Sequence, residues 1–228
     1  MRTSLPLTLA LAAILAGCAN PPPAPPAEAN AWRPMKLPGK LSTHYEWSVK
    51  EGRAAVSAQA DRSASLWRRH VAPELKHARE LQFSWWVQDM IPTADLSDPD
   101  LGDAPARVLL GFDGDTASLP LRTRLMFDLA KTLTGEEPPY ATLVYVWDAK
   151  LPVGTVLKHP RSDRVRKIVV DSGAAQLRRW REHRRDVAAD FRLVFGEEPG
   201  PLLTVALMTD SDNTRSRARA WYGAVELR

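Results

Sequence analysis

The sequence predicts a mostly β domain, a jelly-roll-like sandwich of about seven to nine strands that carries one or two helices. Most apolar residues stand in short segments bounded by Gly, Pro and Asp, which is typical of strands. These segments are rich in β-branched and aromatic residues, and one of them alternates apolar with polar positions. Helices do not regularly separate consecutive strands, as a parallel α/β sheet requires.

The first strand is predicted where Thr43, Tyr45, Trp47 and Val49 alternate with polar residues, the period of a half-buried strand. Two weaker candidates follow at residues 54–60 and 66–70. The remaining predicted strands cover residues 80–91, 106–112, 141–147, 164–170, 202–208 and 218–227.

Two segments predict helices instead of strands. Residues 121–134 place four leucines at intervals of four and end before Gly135, a common helix stop. Residues 186–195 begin with the capping residue Asp186, carry Val187, Phe191 and Val194 on one side, and end before Gly196. We expect both helices to decorate a sheet core.

The N-terminus has the order of an export signal, with one side-chain cation and an uncharged apolar stretch at residues 5–16. As a helix this stretch would span about 18 Å, short of a hydrocarbon core of about 30 Å. It ends in Leu15-Ala16-Gly17-Cys18, which resembles the lipobox of bacterial lipoproteins. We therefore expect residues 1–17 to be a signal peptide and Cys18 to carry lipid. The alternative is an ordinary signal peptide with a cysteine near its cleavage site.

Lipid on Cys18 would make the membrane a partner of the chain. The lipobox resemblance also implies a location in the cell envelope. Ala19 favours the outer membrane, with the domain facing the periplasm, because Asp at this position retains lipoproteins in the inner membrane.

Residues 18–38 are expected to form the lipidated start and a Pro-rich linker, and residues 39–228 a β-sandwich domain. Five prolines within residues 21–26 favour a semi-rigid spacer, although such a run can also be a ligand for proline-binding grooves.

The net charge of +4 does not indicate a nucleic-acid binder. Five arginines crowd residues 176–186, which is either a solvated face or a surface for anionic lipid head groups or acidic glycans.

Several short motifs follow one another in an order that can be compared with known families. They are FSWWV at 83–87, DAPARV at 103–108, VYVW at 144–147, Trp180 with RDV at 185–187 and DF at 190–191, FG at 195–196, TDSDNT at 209–214 and WYG at 221–223. Together they resemble the bacterial domain-of-unknown-function family 3047 over about residues 41–228. The resemblance implies a sandwich like those of carbohydrate-binding modules, and it implies no activity. One position departs from the pattern, since Ala224 stands where we expect an acidic residue.

The sharpest polar cluster in the sequence lies at residues 210–214. Asp210 and Asp212 stand at i and i+2 beside Asn213, so their carboxylates could converge on one cation such as calcium. The alternative is Asx-turn chemistry that ends a strand. The sequence does not decide whether a metal binds.

Aromatic residues supply the other binding candidates. Trp85 and Trp86 are adjacent in a predicted strand, so one should face the core and the other the opposite side. An exposed ring at Trp86, Trp85 or Trp147 would stack on a sugar, with Arg107 as a polar contact. The alternative is that these rings all pack in the interior.

Three functions stay open at this point. The first is a non-enzymatic envelope lipoprotein that binds a glycan or similar polar ligand. The second is a hydrolase of polysaccharides with a carboxylate pair such as Asp89 and Asp210. The third is a structural unit that docks proteins through an exposed apolar patch. The sequence contains no Gly-x-Ser-x-Gly elbow and no metal-ligand spacing among its histidines, so an enzyme is not favoured.

Overall fold

The computed structural model describes residues 31–160 and 162–228, and these residues form twelve strands and two helices. The strands are β1 (Arg33–Lys36), β2 (His44–Lys50), β3 (Arg53–Asp61), β4 (Ser65–His70), β5 (Glu80–Val87), β6 (Ala104–Phe112), β7 (Ala141–Asp148), β8 (Val156–His159), β9 (Ser162–Ser172), β10 (Trp180–Asp186), β11 (Leu202–Asp210) and β12 (Arg217–Leu227). The helices are α1 (Leu121–Thr134) and α2 (Val187–Phe195). The predicted signal peptide and Cys18 lie outside the described residues.

The strands form two sheets that pack face to face. A large sheet has the order β1-β4-β11-β6-β7-β9-β8, and a small sheet has the order β10-β5-β12-β3-β2. Neighbouring strands are antiparallel except β7 and β9, which run parallel because β8 lies between them in sequence and pairs at the sheet edge. The predicted mostly β sandwich with two helices is confirmed.

Each of the nine predicted strands is present, and β1, β8 and β10 were not predicted. The first two are only four residues long, too short for a periodic signal. β10 was not predicted because its sequence, WREHRRD, is mostly charged and contains no aliphatic residue. β1 also lies inside residues 18–38, which the sequence analysis assigned to a linker, and Trp32 just before it is buried in the core.

The core lies between the inner faces of the two sheets and is rich in aromatic side chains. Trp85 and Tyr222 enter it from the small sheet, and Tyr145 and Trp147 enter it from the large sheet. Period-two alternation along each strand produces these inner faces. Helix α2 adds Phe191, which is fully buried.

A polar network fills the core beside β10. Asp171 accepts hydrogen bonds from Trp85 Nε1 at 2.8 Å and from Arg181 Nε at 3.0 Å, and it pairs with His183 Nε2 at 2.8 Å. Burial raises the pKa of Asp171, but the hydrogen bonds from His183 and Trp85 outweigh it, so its pKa lies below the ordinary value. His183 of β10 therefore lies in the interior, and Arg181 is half-buried at its edge.

The two helices differ in how they pack. Helix α2 begins at its cap Asp186, whose side chain accepts a hydrogen bond from Ala189 N, and it buries Val187 and Phe191. Helix α1 lies over the outer surface of the large sheet and buries none of its residues. Among the described residues, no helix has the length and apolar character needed to cross a membrane.

Candidate ligand-binding face

Three tryptophans form a row across the outer surface of the small sheet. The register of β10, β5 and β12 places Trp180 beside Trp86, and Trp86 beside Trp221. Adjacent strands lie about 4.8 Å apart, so the row spans about 10 Å. The rings of Trp86 and Trp221 meet edge to face, with centroids 5.0 Å apart. Alternation sends their chain neighbours Trp85 and Tyr222 into the core instead.

Three cations cover this row. Lys50 Nζ lies 3.6 Å from the ring centroid of Trp86 and 4.5 Å from that of Trp221. The guanidinium carbon of Arg219 lies 4.6 Å from the Trp221 ring, and that of Arg53 lies over the third tryptophan. Beneath these cations Trp86 and Trp221 are only 5% and 6% exposed, so a ligand reaches the rings only by displacing the cations. Each cation–ring contact contributes about 0.5–2 kcal/mol, which stronger contacts with a ligand can exceed. We call the three tryptophans and these three cations the tryptophan face.

The cations of the tryptophan face are not fully neutralised. Arg53 forms an ion pair with Glu182. Lys50 and Arg219 have no carboxylate oxygen within 4.0 Å in the part of the chain that the structure describes. Trp180 Nε1 is buried and has no hydrogen-bond partner there. An unpaired buried donor costs about 1–3 kcal/mol, which an acceptor on a ligand could offset.

A depression of about 480 Å³ adjoins the row on the same sheet surface. A bulge in β12 at Gly223 and Ala224 forms part of its lining. A Cβ atom at Gly223 would collide with Ser84 Oγ and lie 3.4 Å from Trp180 Cζ3, so a larger residue here would force the Ser84 side chain to move. The polar side chains of the lining are Arg53, Gln82, Ser84, Glu182, Arg184 and Glu226.

Ala224 lines this depression and is exposed. The family pattern leads us to expect an acidic residue at this position, where this chain has a small uncharged one. This position next to the tryptophan face therefore carries no carboxylate in this chain.

The tryptophans named in the sequence analysis are separated by the fold. Trp86 lies on the outer side of the small sheet, 5% exposed beneath Lys50, whereas Trp85 and Trp147 are 0% exposed between the two sheets. Trp85 Nε1 donates to Asp171, and Trp147 Nε1 donates to the carbonyl of Gly173 at 3.0 Å. Because a fully buried ring presents no face to a ligand, Trp85 and Trp147 support the core rather than a binding surface.

The other candidates lie apart from the tryptophan face, at one end of the large sheet. Arg107 Nη2 and Asp210 Oδ2 form a buried ion pair at 3.0 Å, and Asp210 also accepts a hydrogen bond from Ala104 N at 3.1 Å. Burial raises the pKa of Asp210 to about 6, although the nearby Arg107 opposes the rise. The pair therefore holds β6 and β11 together inside the protein.

Three carboxylates converge here, since one oxygen from each of Asp103, Asp210 and Asp212 lies within 4.8 Å of the others. Asp103 accepts hydrogen bonds from the backbone N–H of Asn213 at 3.2 Å and of Thr214 at 2.8 Å. Asp212 forms an ion pair with a lysine, Lys40. Calcium needs six to eight oxygen ligands, and these carboxylates already have cations and N–H groups as partners. The geometry agrees with the turn interpretation, in which the acids order the loop.

The proposed carboxylate pair of a hydrolase is not assembled. Asp89 is exposed and pairs with Arg178 at 2.7 Å, whereas Asp210 is buried against Arg107. The two acids share no partner among the described residues. Four of the five arginines in the arginine-rich segment form ion pairs, Arg178–Asp89, Arg181–Asp171, Arg184–Glu80 and Arg185–Asp190, and among the described residues Arg179 has no carboxylate oxygen within 4.0 Å.

Five of the six residues of the tryptophan face were missed by the sequence analysis. Trp180 was missed because β10 was not recognised as a strand. Trp221 follows Arg219 at the strand period, a signal that could have placed both on one surface. Lys50 and Arg53 flank the turn at Glu51 and Gly52, and their approach to the rings depends on strand order, which sequence periodicity does not give.

Comparisons with known proteins agree with the family resemblance. The family model described as "Protein of unknown function (DUF3047)" matches residues 30–226. A search of the curated proteins finds none that matches. Among solved structures, the chain is similar to the family 30 carbohydrate-binding module of a cellulosomal cellulase of Clostridium thermocellum. The two share 9% identity and a TM-score of 0.42 over 87% of this chain and 91% of that one, which is too distant to transfer a ligand or a site residue.

Proposed function

The chain belongs to the DUF3047 family, and we propose that its domain is a non-enzymatic module that binds an acidic glycan on the tryptophan face. The observation that carries the proposal is the row of three indole rings beside two cations without a carboxylate partner. Aromatic rings stack on the apolar faces of sugars, and cations bind carboxylate or sulfate groups. A glycan that carries such groups satisfies both features at once.

The ligand would reach the rings by displacing Lys50 and Arg219 from them. Both side chains are long and flexible, so they can leave the rings and pair with anionic groups of the sugar. The indole surfaces then become available for stacking. The depression beside Trp180 would hold the next sugar unit, with Gln82 and Ser84 as polar contacts.

The test is calorimetric titration with a short oligogalacturonate and, in parallel, with its methyl ester. The two ligands have the same sugar rings, but the ester lacks the negative charges. We expect the acid to bind and the ester to bind more weakly. Lys50→Gln and Arg219→Gln should each weaken binding of the acid about three- to tenfold, because each removes one charge-assisted contact.

Lys158→Gln is the matched control, since Lys158 is an exposed strand lysine at the edge of the large sheet. It should leave binding unchanged. Trp180→Ala should weaken the binding of oligogalacturonate and of its methyl ester by a similar factor, because it removes stacking and not charge. If neither oligogalacturonate nor other acidic polysaccharides bind, with or without calcium, the proposal fails.

We also propose that lipid on Cys18 holds this module at a cell-envelope membrane, in keeping with the lipobox resemblance. Metabolic labelling with palmitate should mark the wild-type chain and leave Cys18→Ser unlabelled. Labelling of the serine variant, or none of the wild type, would contradict lipid attachment. Neither result bears on whether the tryptophan face binds glycans.

A further inference from the structure

Helix α1 exposes a continuous stripe of large apolar side chains. Leu121, Leu125, Leu129 and Leu133 are 62%, 58%, 52% and 61% exposed, and Met126 is 47% exposed. Their spacing of four residues places them on neighbouring turns of one helix side. Soluble domains rarely leave a contiguous apolar patch without a partner.

The stripe is not the side of α1 that faces the large sheet. The half-buried residues of α1, which face the sheet, are Thr123, Phe127, Ala130 and Thr134. They lie on a different side of the helix from most of the leucines. A cavity of about 390 Å³ remains between α1 and the sheet, with Met126, Leu129 and Leu133 along its edge. The leucine stripe therefore continues into an apolar groove.

Positive charge accompanies the stripe. Arg122 and Arg124 have no carboxylate oxygen within 4.0 Å among the described residues, and Lys131 pairs with Glu137 at 3.3 Å. The helix contains one acidic residue, Asp128. An apolar stripe with basic residues beside it is the pattern of a helix that lies in the interface of an anionic bilayer.

The start of the described chain lies beside this helix. Ala31 and Leu133 line the same depression, and Met35 and Leu37 line the apolar groove. Cys18 precedes Ala31 by thirteen residues, and a chain of this length spans at most about 47 Å. Lipid on Cys18 would therefore keep α1 within reach of the bilayer.

We propose that α1 seats the domain on an anionic lipid bilayer, with its leucines at the boundary between head groups and acyl chains. Arg122 and Arg124 then face lipid phosphates. This surface is separate from the tryptophan face, because the two lie on the outer surfaces of opposite sheets. Seating through α1 leaves the tryptophan face directed away from the membrane.

Hydrogen exchange on the full chain tests the proposal, in solution and on vesicles of phosphatidylcholine with phosphatidylglycerol. Flotation of the same samples measures association with the vesicles. We expect amides of residues 121–134 to exchange at least about tenfold more slowly on vesicles, and those of α2 to stay unchanged. Leu125→Glu should abolish this protection. The matched control Leu193→Glu, at an exposed leucine of α2, should retain it.

Three outcomes would overturn the proposal. The first is a chain that floats with the vesicles while α1 exchanges as fast as in solution. The second is a chain that does not float at all. The third is protection of α1 before vesicles are added, which would mean that a second copy or another segment of this chain covers the stripe.

Discussion

Lys167 is a buried cation whose environment favours its neutral form. The side chain lies on β9, and the residue is 4% exposed. Burial lowers its pKa from 10.5 to about 8, and the nearby Arg107 adds to this effect, while Asp210 and Asp148 oppose it. Holding a lysine charged in such a place costs at most about 3 kcal/mol in folding free energy.

Lys167→Met should therefore stabilise the protein at about pH 7, by up to about 3 kcal/mol. Because the folded pKa lies below the unfolded one, the cost of Lys167 is complete below about pH 8. It disappears as the pH rises towards the unfolded value. Urea unfolding of both proteins across this range should show the gain shrink as the pH rises.

Lys158→Met serves as the control, because Lys158 is exposed on the neighbouring strand β8. Its unfolding free energy should match that of the wild type at each pH. A Lys167→Met protein that is less stable at about pH 7 would contradict this explanation. It would indicate that the attraction of charged Lys167 to Asp210 and Asp148 stabilises the protein by more than the burial of its charge destabilises it.

Individual residues were predictable where local alternation decides their direction. The adjacent Trp85 and Trp86 were expected on opposite sides of one strand, and the structure places them so. Arg181 and Arg185 show the limit of such reasoning. Both are half-buried against Asp171 and Asp190, whose positions beside β10 only the fold determines.

Among the elements, α1 and α2 end in the same way but should differ in their effect on stability. Gly135 and Gly196 follow the helices with φ of 75° and 74°, and nothing lies within 4 Å of a Cβ atom built on either. Alanine at either position should thus cost only the backbone strain of the left-handed conformation, about 1–2 kcal/mol.

Gly196→Ala should lower the unfolding free energy by this full amount, because α2 packs Phe191 into the core. Gly135→Ala should lower it by less than half as much, since α1 can fray without exposing the core. Chemical denaturation followed by circular dichroism measures both. Equal losses would show that α1 unfolds together with the sandwich, contrary to its packing.

Elements with a strong apolar period were predictable, and charged or short ones were not. Both helices and nine strands followed from periodicity and from Gly or Asp at their ends. β10 was missed because its inner face is filled with His183 and two arginines, whose burial requires acidic partners on other elements. Sequence periodicity reveals strands whose inner side is apolar, whereas the inner side of β10 is charged.

At the scale of the whole molecule, the two outer sheet surfaces have different chemistry. The small sheet carries the tryptophan face, and the large sheet carries α1 with its exposed leucines. The predicted candidates Arg107, Asp210, Asp212 and Asn213 lie at one end of the large sheet and order a loop. Which residues meet across strands depends on strand order, so the tryptophan face could not be located from sequence alone.

The most direct test of glycan binding observes the indole N–H signals of the eight tryptophans by NMR during titration with oligogalacturonate. We expect the signals of Trp86, Trp180 and Trp221 to shift with a common saturation curve. Those of Trp85 and Trp147 should stay in place, because both rings lie in the core. Glycan binding on the tryptophan face is excluded if no indole signal moves, or if the three face signals stay fixed while others shift.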